Sequence, residues 1–204
     1  MPGMTKLTHR LAGSLETLAQ ALRRYGRDDG KVLVLGGVRS GKSRHAERLV
    51  AHHPHLVYVA PGLPPSAEDP EWAARVEAHR ARRPHHWTTI ETTDLATVLR
   101  TATSPLLIDC LGTWLSRVLD EVGAWSGKSG WERRLDDRLE DFLAAWSQAR
   151  VPVVAVSNEV GSGVVPATVS GRLFRDVLGA LNNRVSADCD RVALIVAGRA
   201  LDLP

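Results

Sequence analysis

Lys31-Val32-Leu33-Val34-Leu35-Gly36-Gly37-Val38-Arg39-Ser40-Gly41-Lys42-Ser43 decides the fold. The apolar run KVLVL reads as a buried strand, the octet GGVRSGKS fits G-x-x-x-x-G-K-[ST], and a helical stretch opens near Lys42. Gly36 and Gly41 let the backbone turn tightly, so that successive N–H groups along Gly37, Val38, Arg39 and Ser40 point at phosphate oxygens. The positive end of the new helix adds to that field. In such a cradle Lys42 neutralises the β and γ phosphates of a nucleoside triphosphate, and the Ser43 hydroxyl ligates Mg²⁺. A second Gly-Lys-Ser at 127–129 lacks both a preceding strand and the first glycine, since Val122 stands there; it reads as a loop.

Further short apolar runs follow at Leu56–Ala60, Leu106–Asp109, Val151–Ser157 and Arg191–Ala197, with Trp87–Glu91 as an additional strand. The five apolar runs, KVLVL included, do not alternate with polar residues, as expected of strands covered on both faces. Helical stretches are expected over Lys42–His52, Pro70–Arg83, Asp94–Thr101, Trp131–Ala149 and Ser170–Ala187. Alternation of this kind predicts an α/β fold, a P-loop NTPase-like (RecA-like) parallel sheet flanked by helices in three layers, α/β/α. Ligands then bind at the carboxyl ends of the strands. Asp109 ends the run LLID, where an acid holds Mg²⁺ directly or through water, or else caps the next helix.

Residues 1–30 differ. Leu11, Leu15, Leu18, Ala19 and Leu22 recur at helical spacing, with Ser14 as a cap and Gly26 as a stop, predicting an appended amphipathic helix and a linker before a domain at 31–204. No apolar run approaches the roughly 18 residues of a membrane span. Met1–Arg10 lacks the pattern of a secretory signal, which points to the cytoplasm. The two cysteines, Cys110 and Cys189, have no metal-binding spacing and read as buried, reduced thiols. The formal charge of +3 is too small, and the aromatic share of 5% too low, for a nucleic-acid platform.

Five blocks in order narrow the reading: VLGGVRSGKSRHAERL at 34–49, RVEAHRARRPHHW at 75–87, VSNEVGSGVVP at 156–166, RLFRDVLGALNNRVSADCD at 172–190 and the ending VALIVAGRALDL. Together they resemble the bifunctional adenosylcobinamide kinase/adenosylcobinamide-phosphate guanylyltransferase family, over everything from about Lys31 onward. The resemblance implies two reactions with GTP and ATP and with Mg²⁺. First the hydroxyl of adenosylcobinamide is phosphorylated. Then GTP gives GMP to an enzyme histidine, releasing pyrophosphate, and the GMP passes to adenosylcobinamide phosphate. It also implies a homo-oligomer, often a trimer, with nucleotide sites near subunit boundaries.

The chemistry of imidazole does not choose among the eight histidines: His9, His45, His52, His53, His55, His79, His85 and His86. The resemblance places the guanylylated histidine in RVEAH, at His79. Trp72, Val76 and His79 share one helix face, so a half-buried packing role is the competing reading. By the same resemblance Arg80, Arg82 and Arg83 contact the guanosine nucleotide, and Glu91 and Asp109 match nucleotide-site positions. Arginine suits a phosphate, because its planar fork grips two oxygens; three arginines at a helix end also complement the dipole. Glu159 in Asn158–Gly163 serves either as a base or as part of a turn. The chain departs from the family pattern at Pro61, at Gly112 and in its N-terminal extension. The alternatives are an enzyme that retains only one of the two activities, a generic P-loop small-molecule kinase, or a nucleotide-sensing interaction protein.

Overall fold

The structure, a computed structural model, describes residues 30–66 and 68–204; the expected N-terminal helix lies outside the described residues. The chain runs β1 (Lys31–Gly36), α1 (Lys42–Leu49), β2 (Val57–Ala60), α2 (Pro70–Arg80), β3 (Thr88–Glu91), α3 (Leu95–Thr101), β4 (Leu106–Asp109), α4 (Leu111–Glu121), α5 (Trp131–Gln148), β5 (Val153–Asn158), α6 (Val169–Ala187), β6 (Arg191–Val196) and β7 (Arg199–Leu203). One sheet holds all seven strands in the order β3-β2-β4-β5-β1-β6-β7. Every neighbouring pair is parallel except β6 and β7, which form an antiparallel hairpin.

The expected parallel sheet between helical layers is therefore present, and the period-2 geometry of a strand explains the layering. In β1, Leu33 and Leu35 enter one core with Ile108, Trp114, Phe142, Trp146 and Leu181, under α3–α6. Val32 and Val34 enter the other with Ala46, Val50, Tyr58 and Trp87, on the side of α1. Both sides of β1 are apolar because both are covered. The carboxyl edge of the sheet lies where β1, β4 and β5 end, at Gly36, Asp109 and Asn158.

Several expected boundaries shift. The first helix stops at Leu49 rather than His52, and α2 stops at Arg80 rather than Arg83, so Arg82 and Arg83 lie in the turn before Pro84. Pro152 precedes β5 instead of lying in it, as a residue without an N–H must when the ladder begins. Two elements go beyond the expected set. Helix α4 places Leu111, Trp114, Leu115, Val118 and Leu119 in the core at helical spacing, behind an unusual cap in which Thr113 N–H donates to Cys110 Sγ. Strand β7 follows a turn at Ala197-Gly198, both with positive φ, and leaves Leu201 and Leu203 exposed. Of the two free thiols Cys110 is buried, whereas Cys189 is only partly so, with burial as the main cause pushing it up to about 12. The Gly-Lys-Ser at 127–129 is indeed a loop between α4 and α5. No described helix is long and apolar enough to cross a membrane.

Asp94 caps α3 by accepting from Thr97 N–H at 3.0 Å, and α3 docks Leu95 and Leu99 into the core. Removing that oxygen leaves an orphan helix donor. Asp94→Ala is expected to cost about 1 kcal/mol, read as a lower urea midpoint at unchanged slope.

Candidate active site

The P-loop turn is built by sterics. A Cβ on Gly36 would meet Ser40 Oγ at 2.5 Å and Ile195 O at 2.8 Å, and Gly41 sits at φ 93°, where side chains are strained. Gly198 N–H donates to Ser40 O at 2.9 Å, so the β6–β7 turn braces the loop from behind. Lys42 is buried, and its ammonium donates to Gly37 O at 3.2 Å, curled over the cradle. Val38 is exposed at the rim, and Arg39 reaches Glu71 at 4.0 Å in solvent.

Beside this loop opens a cavity of about 400 Å³. Its polar lining includes Lys42, Ser43, His79, Arg83, Glu91 and Asp109, and its apolar lining Leu63, Pro64, Trp72, Val76, Val160 and Phe174. Trp72, Val76 and His79 thus do share a helix face, and that face is cavity wall. Helix α2 buries no side chain completely; polar ties hold it. Asp69 caps it, Trp72 Nε1–H donates to Leu63 O at 2.8 Å, and Arg80 pairs with Glu91.

Asp109 is where three polar side chains converge. Ser43 Oγ donates to its Oδ1 at 3.2 Å and Tyr58 OH to its Oδ2 at 2.8 Å, while His79 Nδ1 lies 3.5 Å from Oδ2. Burial alone pushes the Asp109 carboxyl up, but the bond and charge of His79, with bonds from Tyr58 and Ser43, hold it below the ordinary carboxylate range. It is ionised at neutral pH. Burial first, and the Asp109 charge next, push the Tyr58 phenol well above its usual value, so it stays a donor.

The other expected residues divide. Arg83 lies 3.6 Å over the Tyr58 ring, and its buried Nε has no hydrogen-bond partner, as suits a group that meets an anion. Arg80 is committed to Glu91, and Arg82 forks onto Glu47 of α1 at 3.1 and 3.3 Å; neither lines the cavity. His45 also lies off the wall, in surroundings set by Arg48, Arg191 and Asp202; burial chiefly lowers its pKa. Glu159 folds back on its own turn, accepting from Gly161 N–H at 2.7 Å and Ser162 N–H at 3.1 Å, which favours the structural reading. At Pro61, Arg117 donates to the Pro61 and Gly62 carbonyls, pinning the loop to α4. At Gly112, a Cβ would meet Asn158 Oδ1 at 2.6 Å.

The sequence reading passes over Tyr58, Thr113 and Phe174, all on the wall. Tyr58 carries a signal, since a phenol inside the buried run LVYVA must find a partner for its hydroxyl. Among the described residues no cluster of three His, Cys, Asp or Glu offers a metal cage. Ser43 and Asp109 converge as hard oxygen donors beside a phosphate cradle, which is the donor set Mg²⁺ takes when phosphates and waters complete its shell.

Comparison with known proteins agrees. The family model described as cobinamide kinase / cobinamide phosphate guanyltransferase matches residues 32–203. The bifunctional adenosylcobalamin biosynthesis protein CobU of Salmonella typhimurium is 38% identical over 176 residues, 82% of this chain and 96% of that protein. The bifunctional adenosylcobalamin biosynthesis protein CobP of Pseudomonas aeruginosa is 39% identical over 178 residues, 84% and 95% of the two chains. In fold, an ATPase from the type III secretion system of pathogenic bacteria superposes with a TM-score of 0.51 at 14% identity, over 85% of this chain but only 56% of that one. That likeness concerns the fold alone. With a P-loop, a histidine set against the β4 acid, and a family match across nearly all the described residues, the chain belongs to the cobinamide kinase / cobinamide phosphate guanyltransferase family.

Proposed function

We propose that this chain catalyses both reactions of its family: phosphorylation of adenosylcobinamide by a nucleoside triphosphate, then transfer of GMP from GTP to adenosylcobinamide phosphate through His79. The observation that carries the second step is the 3.5 Å approach of His79 Nδ1 to buried Asp109 in a cavity that opens onto the P-loop. An ionised carboxylate only accepts, so it selects the tautomer with the proton on Nδ1 and the lone pair on Nε2.

In the kinase step the substrate hydroxyl attacks the γ phosphorus of ATP or GTP, the bond to the β–γ bridging oxygen breaks, the nucleoside diphosphate leaves with the electron pair, and the hydroxyl proton passes to solvent. Lys42 leaves Gly37 O for the β and γ oxygens, and the amides of Gly36–Ser43 spread the remaining charge. In the guanylyl step Nε2 attacks the α phosphorus of GTP, the bond to the β-phosphate oxygen breaks, and pyrophosphate leaves with the electron pair. The ring becomes cationic as the N–P bond forms, and Asp109 balances that charge. Arg83 supplies a guanidinium for the α phosphate or the departing pyrophosphate. A phosphate oxygen of the corrinoid then attacks the same phosphorus, and the electron pair returns to Nε2, leaving adenosylcobinamide-GDP. Ser43 and Asp109 would hold Mg²⁺, which supplies charge neutralisation at the phosphates when bound.

In this reading residues 31–204 act as one catalytic domain and 1–30 as an appended segment. The family's trimeric habit is part of the proposal, with α2, which buries nothing completely, brought against a neighbouring chain. With Mg²⁺ and α-labelled GTP the wild-type chain should acquire acid-labile label, and adenosylcobinamide phosphate should chase that label into product. A simple kinase or a nucleotide sensor leaves the protein unlabelled, and that result would end the proposal.

A further inference from the structure

We propose that Tyr58 is a positioning residue for guanylyl transfer, holding Asp109 so that His79 reacts only through Nε2. The inference rests on His79 as the nucleophile and adds the part that orients it. Tyr58 stands in the middle of β2, 1% exposed, with its ring in the core beneath α1. A phenol there must place its hydroxyl on an acceptor, and it does so at 2.8 Å on Asp109 Oδ2. That oxygen is the one facing His79 Nδ1, whereas Oδ1 receives Ser43 on the P-loop side. The two carboxylate oxygens are thereby divided, with Oδ1 turned to the phosphate cradle and Oδ2 to the histidine.

The torsion that sets this division is soft. Rotation of a carboxylate about its last bond is broad and nearly two-fold, so Asp109 does not keep its oxygens apart unaided. The Ser43 bond fixes one end and the Tyr58 bond the other. Tyr58 itself cannot swing, because the core holds one part of its ring and the Arg83 guanidinium covers the face at 3.6 Å. Arg83 is also the arginine left with a buried, unpartnered Nε on the cavity wall, so the group that meets the nucleotide braces the chain Tyr58–Asp109–His79. Without the phenol hydroxyl, Oδ2 loses its fixed direction. The imidazole can then present either nitrogen, and the cation formed on attack is less well balanced.

Tyr58→Phe removes the hydroxyl and keeps the ring beneath Arg83, so the fold should melt within a few degrees of wild type. Single-turnover guanylylation at saturating GTP is expected to slow by about 10- to 100-fold, as when an outer partner of a working histidine is lost, with kinase turnover falling far less. A second readout is the linkage itself. After periodate oxidation and β-elimination strip the guanosine, ³¹P NMR distinguishes phosphate on Nε2 from phosphate on Nδ1. Wild type should give Nε2 alone and Tyr58→Phe a mixture. Wild-type speed with pure Nε2 linkage in Tyr58→Phe, equal loss of both activities, or Nδ1 linkage in the wild type would each overturn the role of Tyr58. Undiminished labelling of His79→Ala would instead overturn the reading on which it rests.

Discussion

In a His79→Ala chain, protein-bound label from α-labelled GTP is expected to disappear, with guanylyl transfer to adenosylcobinamide phosphate slowed by at least about 10⁴-fold, the scale seen when a nucleophile is removed. Among the described residues no other histidine lines the cavity, and His45, nearest the P-loop in sequence, lies off its wall. The effect is chemical rather than structural. His79 is partly exposed on a helix that buries no side chain completely, and Asp109 keeps its bonds to Tyr58 and Ser43. Stability should therefore change by less than about 1 kcal/mol, and γ-phosphoryl transfer to adenosylcobinamide should persist. Label quantified on acid- and base-treated protein, with product analysis by chromatography, checks both halves. Label that survives the substitution would place the covalent site elsewhere.

Lys42→Ala should strike both reactions, because each draws on the same triphosphate. The Lys42 ammonium is buried and donates to the Gly37 carbonyl, so it waits within reach of the cradle. A cation aimed at developing phosphate charge in a site shielded from water contributes about 3 kcal/mol or more to the barrier, somewhat over a hundredfold in rate. The carbonyl it leaves belongs to an exposed glycine and can turn to solvent, so the melting temperature should hardly move. Steady-state rates for each half-reaction, with GTP affinity from calorimetry, measure the loss. Unchanged rates would count against any P-loop mechanism.

How far the sequence could be read depended on how local the signal was. The P-loop, the strands and Asp109 are contiguous patterns that lie where the pattern said, although β6 is only partly buried and β3 is exposed along its length. Helix α4 is equally periodic, with Leu111, Trp114, Leu115 and Val118 in step, but Gly112 and a cysteine cap in place of Ser or Asp conceal its start. Strand β7 is short and largely exposed, so it carries little hydrophobic signal. The arginines of RARR could not be sorted in advance. Their roles separate only in three dimensions, where Arg80 meets Glu91, Arg82 meets Glu47 and Arg83 alone of the three turns into the cavity. The convergence of Tyr58, Asp109 and His79 is likewise non-local, joining β2, β4 and α2 across 51 and 30 positions of sequence.

Helix α2 carries His79, the nucleophile proposed above, on a mount fastened by a cap, an indole N–H and a few ion pairs, with nothing driven home into either core. Inheritance can act on such a part separately. With His79 as the proposed nucleophile, changes along Glu71–Arg80 are expected to extinguish the covalent reaction while the chain still expresses, melts normally and phosphorylates its corrinoid. A screen for folding would pass such variants, and lineages that stop needing the second reaction would be free to discard it first.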